Sequence, residues 1–398
     1  MTWPPFEYET LPWERSPESL ALVPKSRRRK IASTYEAAVP PMIASLDFAL
    51  SGELADRVAQ LMADMARFDA RMGACGYDLP ASLMRSESSA SSQIENLTSS
   101  VRNVALAELG DDAPGNAVLI AGNVAAMRAA LEVPAGCAVE SVLEVHRALV
   151  EPSGQGFAGE LRDEQVWVGG TPYSPHGADY VAPRWERVPA LLEDLCAFCS
   201  RDDLNPVAQA AIAHAQFENI HPFVDGNGRC GRALIHRQLA LAGALRCGGL
   251  PISAGLLHRS GSYYGALDAY RAGDAEAIVV QLAQAIELAL AVASGAVDDI
   301  EGLLASWRGL IGERRGSAIH RLPALLVRQP VVDAGYVASH LGVSDRMARN
   351  VLERACEYGF LRQLGSARRN RFFQCDALLA VLEEVSSEEG IRRTLRGC

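Results

Sequence analysis

The chain has 398 residues, too many for one ordinary domain and enough for two or three. About half of them are apolar (49%) and few are aromatic (6%), the balance of a helix-rich globular protein. A formal charge of -10 excludes a molecule built as a whole to lie on nucleic acid or an anionic membrane.

The first forty residues carry several prolines, Trp3, Trp13 and the basic run Lys25-Ser26-Arg27-Arg28-Arg29-Lys30, and read as an extended, solvated arm. Met1-Thr2-Trp3-Pro4-Pro5 has no basic region leading into an apolar core, so no signal peptide is expected. Leu46, Ala49, Leu54, Val58, Leu61 and Met65 then recur mostly at helical steps, and a polar stretch follows from Arg85 to Asn96. Residues 116–240 read as helix after helix, broken once where 166–170 and 180–181 place β-formers around Gly and Pro, a hairpin. The nine cysteines are scattered; Cys196 and Cys199 form a lone CxxC inside a helical stretch, which suits structural thiols in a reduced compartment such as the cytoplasm. Helices resume from Asn205 to about Leu290. The longest apolar run, 278–293, is interrupted by Gln281, Gln284 and Glu287, so an amphipathic helix is expected there and not a membrane span.

The tail is a different unit. Residues 333–340 and 345–358 read as helices around the turn Gly342-Val343-Ser344, and 361–364 and 371–374 as strands around a loop. That order predicts a winged helix-turn-helix. The expected division is an N-terminal segment over 1–112, a helical core over 113–295 and the winged unit over 315–385, the whole mainly α.

The most informative segment is His221-Pro222-Phe223-Val224-Asp225-Gly226-Asn227-Gly228-Arg229-Cys230-Gly231-Arg232, set between two helical stretches. Gly-Asn-Gly permits a backbone turn whose N–H groups converge on an anion, and the helix that follows adds its positive end. Arg229 and Arg232, one turn apart, supply counter-charge for a polyphosphate. Asp225 is a hard oxygen ligand suited to Mg²⁺, and His221 is a base near neutral pH. Each residue alone has an ordinary reading as a turn or a surface group. Their coincidence at these spacings does not.

The segment resembles the Fic family motif, HPFx(D/E)GNGRxxR, at every specified position, and the similarity covers roughly residues 10–290. The resemblance implies a helical fold and AMP transfer from Mg-ATP to a Ser, Thr or Tyr hydroxyl of a target protein. His221 would take the hydroxyl proton and Asp225 would hold Mg²⁺. The run Gly226, Asn227, Gly228, Arg229, Cys230, Gly231 and Arg232 would bind the nucleotide phosphates, and Phe223 would anchor the loop. Residues 141–147 resemble the early core helix of the family. The hairpin, including Val181, resembles its flap, which receives the target segment as an added strand. Tyr263, Tyr264 and Arg271 resemble the region near the adenosine.

A second motif is Ser91-x-x-x-Glu95-Asn96. Alone it reads as a helix cap followed by a solvated glutamate. It also resembles the inhibitory motif of the family, (S/T)xxxE(G/N), which implies that Glu95 pairs with Arg232 and blocks productive ATP binding. In some relatives that glutamate serves removal of AMP, so de-adenylylation is the alternative, as is another nucleotide donor.

Other candidates have plainer readings. His214 and Glu218 lie on one helix face with His221 but lack a further ligand nearby, which favours core and surface roles over a metal site. His146 reads as a core histidine, and a core role is also weighed for His236. Nine arginines between His320 and Phe373, with Arg346 and Arg349 on the second helix and Arg368, Arg369 and Arg371 on the wing, suit DNA phosphates or a partner protein, including a second copy of the chain. A DNA-binding regulator with a nucleotide-sensing core is therefore the rival from another functional class.

Overall fold

The computed structural model describes residues 3–13, 31–110, 113, 115–132, 137–246, 249–365 and 371–397, and it is mainly α-helical as expected. Leu54, Val58, Leu61, Met65, Phe68 and Met72 form the buried stripe of α1 (Gly52–Ala74). The next helix, α2 (Leu79–Ile94), starts under a side-chain cap from Asp78.

The polar stretch expected at 85–96 is mostly this helix, and it is buried nearly all round. Several of its polar groups are satisfied by partners far away in sequence. Arg85 donates to the Arg328 carbonyl at 2.6 Å and pairs with Glu108, while Ser86 Oγ lies 3.3 Å from the Leu382 carbonyl. Glu87 accepts from the Ser253 N–H and hydroxyl at 2.7 and 2.5 Å, and His236 lies 3.2 Å from it, the core role weighed for that histidine.

Next come α3 (Val101–Glu108), α4 (Ala117–Glu132) and α5 (Val139–Val150). The hairpin is present as β3 (Trp167–Val168) paired antiparallel with β4 (Tyr180–Val181). Then follow α6 (Val188–Cys199), α7 (Pro206–Ile220), α8 (Asn227–Leu241), α9 (Ile252–His258) and α10 (Ser260–Arg271). Alanines at 208, 210, 211, 213 and 215 let α7 run through the centre, packed on α6, α8 and α11 (Ala275–Leu310). Of the 36 residues of α11, an 18-residue window is apolar enough to cross a bilayer, but 61% of it is buried inside the molecule, as in a core helix. It also runs unbroken through residue 295, so the expected edge of the core falls inside a helix.

The N-terminus corrects the expectation of a solvated arm. β1 (Glu7–Pro12) pairs antiparallel with β2 (Thr34–Val39), and Trp3 and Phe6 are buried against Tyr270. The Lys25–Lys30 run lies outside the described residues.

The tail contains α12 (Leu322–Arg328), β5 (Val331–Val332), α13 (Ala334–Leu341), α14 (Asp345–Glu357), β6 (Arg362–Gln363), β7 (Phe373–Gln374), α15 (Asp376–Ser386) and α16 (Glu388–Gly397). Asp333 and Ser344 cap α13 and α14, and Gly342 turns between them at φ 63°. β5, absent from the sequence reading, joins a sheet of order β5-β7-β6. Arg368 and Arg369 lie outside the described residues. The tail is not free-standing: α15 packs on α2 and α11, and one apolar core runs from Trp3 to Ile391.

Candidate active site: a helix terminus held by a glutamate

The loop between α7 and α8 is shaped by its own residues. His221 ends α7 in the left-handed region, φ 50° and ψ 60°. Phe223 is fully buried and stacks on the His146 ring, the centroids 3.6 Å apart. His146 accepts the Gly159 N–H on Nδ1 at 3.0 Å, which leaves Nε2–H to donate to the Asp225 carbonyl at 3.0 Å. Burial pushes this imidazole down to about 4, so it is a neutral core bracket.

Gly226 turns into α8 at φ 82°, where a β-carbon would also meet Leu149 at 2.9 Å. The ladder of α8 starts with the Cys230 N–H on the Gly226 carbonyl, so the amides of Asn227, Gly228 and Arg229 are left for an anion. Three of the expected phosphate ligands have side chains or positions engaged elsewhere. The Asn227 side chain is spent on the loop, accepting the Phe223 N–H at 2.9 Å and donating to the Phe223 carbonyl at 2.8 Å. Cys230 is fully buried, and Gly231 faces Phe217 and Glu218 beneath the helix.

Above the terminus lies Glu95. Its carboxylate accepts Arg232 Nη2 at 2.7 Å, the expected pair, and Arg229 Nε at 2.8 Å, which the sequence reading did not include. Ser91, one turn earlier on α2, accepts Arg232 Nε on Oγ at 2.8 Å and Nη2 on its carbonyl at 2.9 Å. Both guanidinium groups are buried, with side-chain exposures of 5% and 3% for Arg229 and Arg232, while Glu95 keeps 27%. A β-carbon on Gly228 would lie 2.4 Å from Glu95 Oε1, so the carboxylate stands directly over the start of α8. Asn96 follows at φ 61°, the left-handed end of the helix that the motif reserves for Gly or Asn. Ser91 and Glu95 therefore lie at the C-terminal end of their helix, opposite to a cap reading.

His221 is part-buried, and its Nδ1 lies 3.1 Å from the Glu218 carbonyl. That acceptor fixes the proton on Nδ1 and the lone pair on Nε2. Burial pushes its pKa down to about 4, so the ring is neutral near pH 7. Asp225 keeps 60% of its side chain exposed at the rim, with Oδ2 3.3 Å from Arg229 Nη2.

The residues expected near an adenosine divide. Tyr264 is exposed, its hydroxyl 3.5 Å from the Ile94 carbonyl beside Glu95. Tyr263 is buried instead, its hydroxyl 2.8 Å from His214 Nε2, so both are core residues. Arg271 lies over the Tyr180 ring at 4.7 Å and donates to Asn219 Oδ1 at 3.0 Å, bracing β4 against α7. Val181 is half-buried on β4, in register with Trp167.

One residue escaped the sequence reading and another was read without its charge state. Arg162 donates to the His221, Glu164 and Pro183 carbonyls at 2.7, 2.8 and 2.5 Å, tying the flap to the loop. A single arginine between ordinary neighbours carried no signal of that. Glu218, read as a surface or core group, is largely buried beside Gly231, with 12% of its side chain exposed, and is pushed up to about 7 by burial.

The fold and site thus define a helical protein in which a carboxylate stands over the free amides of a helix N-terminus, with a neutral histidine at its mouth. Residues 137–239 match the Fic/DOC family. It is 33% identical over 162 residues to "Protein adenylyltransferase Fic" of Drosophila willistoni, covering 41% of this chain and 30% of that protein. It is 31% identical over 153 residues to "Protein adenylyltransferase fic-1" of Caenorhabditis elegans, covering 38% and 28%. The match thus spans less than a third of either relative. A Fic family protein from Desulfovibrio desulfuricans G20 has the same fold, with a TM-score of 0.56 at 21% identity over 85% of this chain and 98% of that one.

Proposed function

We propose that this protein transfers AMP from ATP to a Ser, Thr or Tyr hydroxyl of a target protein, and that Glu95 holds it inactive. The observation that carries the reading is the Glu95 carboxylate bound by Arg229 and Arg232 over the free amides of α8. A carboxylate with two guanidinium partners at a helix N-terminus occupies what a phosphate would otherwise fill. The curated relatives named as protein adenylyltransferases support the same chemistry.

His221 Nε2 accepts the proton of the target hydroxyl. The hydroxyl oxygen attacks the α-phosphorus, a P–O bond forms, and the α–β anhydride bond breaks to release pyrophosphate. The amides of Gly228 and Arg229 bind phosphate oxygens, and the two arginines, once released by Glu95, neutralise the leaving group. Asp225 fits Mg²⁺, which takes one or two carboxylates together with phosphate oxygens, and its exposed carboxylate at the rim meets that need. Bound there, the ion would offset phosphate charge. Arg162 keeps the flap and the His221 backbone in one frame.

The test is transfer of α-phosphate-labelled ATP to protein in Mg²⁺ with cell lysate as target. Glu95→Gly should label strongly, and wild type and Glu95→Gly/His221→Ala weakly. No labelling by any variant would sink the reading, and faster loss of preformed AMP adducts with Glu95 intact would favour de-adenylylation.

A second reading concerns the tail. Arg346 and Arg349 are exposed on α14 and make no ion pair among the described residues, which suits DNA phosphates. A salt-dependent gel shift that disappears in Arg346→Ala/Arg349→Ala would support it; equal shifts for both proteins would not.

A further inference from the structure

Three thiols meet away from the nucleotide loop. Cys196 and Cys199 stand one turn apart on α6, and Cys137 reaches them from just before α5. Cys137 Sγ lies 3.4 Å from Cys196 Sγ. Cys199 acts on the same sulfur, lowering the pKa of Cys137 while its own is raised by it. Sulfurs at that separation need to close by only about 1.4 Å to reach bonding distance. No group of three His, Cys, Asp or Glu among the described residues is arranged to hold a metal ion. The other described cysteines are free, and no contact joins them to another thiol.

The cluster opens to solvent through a surface cavity of about 440 Å³ lined by Cys137, Cys196, Glu140 and Glu193. Its thiols are not equivalent. The contacts with Cys196 and Cys199 hold the Cys137 sulfur toward the thiolate, helped by the Arg237 charge, and the same contacts hold Cys196 and Cys199 as thiols. That is the division between an attacking sulfur and its resolving partner.

We infer that Cys137 and Cys196 form a peroxide-reactive dithiol that closes to a reversible disulfide, with Cys199 as the alternate partner. The Cys137 thiolate attacks one peroxide oxygen, the O–O bond breaks, and hydroxide leaves to take up a proton as water. The Cys196 sulfur then attacks the sulfenic sulfur, its proton leaves with the hydroxyl as a second water, and the S–S bond forms. Peroxide is reduced and two thiols are oxidised. The new bond closes a loop from 137 to 196 that holds α5, with its His146 bracket, and the flap. None of this depends on nucleotide transfer.

The experiment treats the full-length protein with hydrogen peroxide, blocks remaining thiols by alkylation and maps the peptides by mass spectrometry. The expected result is a 137–196 linked peptide that dithiothreitol reverses, with a thermal midpoint raised in the oxidised form. Cys137→Ser should form no link in this cluster, and Cys196→Ser should move it to 137–199. Circular dichroism melts of both reduced variants, matched to wild type, exclude misfolding as the cause. Free alkylation of Cys137 after oxidation, or linkage of Cys137 to a cysteine outside the cluster, would overturn the inference.

Discussion

His221 holds a backbone conformation that most side chains avoid, at a cost of about 1–2 kcal/mol. In return its Nδ1 meets the Glu218 carbonyl and its Nε2 lone pair is free. Burial disfavours the imidazolium, so the base form persists down to about pH 4 where a solvated histidine would be half protonated near 6.5. The acid limb of the transfer rate of Glu95→Gly should therefore lie well below pH 6.5; a limb at 6.5 would mean that His221 is solvated during the reaction. Glu218 shifts in the opposite direction, from 4.5 to about 7, through burial. Its folded pKa exceeds its unfolded value, so its stability is full below about 4.5 and is lost as pH rises through 7. Glu218→Gln removes that loss. It should gain stability relative to wild type between pH 5 and 8, by up to about 3 kcal/mol, read as thermal midpoints across that range.

At the scale of elements, the end of α2 sets where Glu95 lands. Asn96 takes φ 61°, which glycine adopts freely and a β-branched residue resists. Asn96→Gly should leave melting and basal labelling close to wild type. Asn96→Val should cost about 1–2 kcal/mol and raise basal labelling, because the last turn of α2 must shift. Equal labelling by both would detach the helix end from inhibition. What the sequence disclosed follows the same division. The loop at 221–232 was legible because its residues are contiguous and each has a distinct chemical type. The hairpin was legible from β-formers around Gly and Pro, and the helices of the tail from their caps. The burial of α2 was not: Ser82, Arg85, Ser86 and Gln93 look solvated until carbonyls at 327, 328, 382 and 386 come to meet them. Trp3 and Phe6 were misread for the same reason, since Tyr270 buries them. Asn227 is subtler. Its type suits a phosphate, but only the folded loop shows that its side chain is already occupied.

Across the whole molecule, α2 is a shared wall. On one side Glu87 bolts it to α9 and Glu95 reaches α8; on the other α15 covers it, with Gln93 Nε2 donating to the Ser386 carbonyl at 2.9 Å. Leu382, on α15, is buried in a cluster with Val101, Ala105, Val331 and Leu379. Leu382→Ala should cost about 2–5 kcal/mol and raise labelling by the protein with Glu95 intact. Unchanged labelling after a measured loss of stability would make α15 a cover and nothing more. The wall also sets an order in time. Gln93 and Ser386 are 293 residues apart in the chain. At about 5–20 residues per second, α2 leaves the ribosome ~15–60 s before its outer partner does. Each nascent chain therefore passes through an interval in which the loop and His221 are already made and the helix that carries Glu95 still has one bare side.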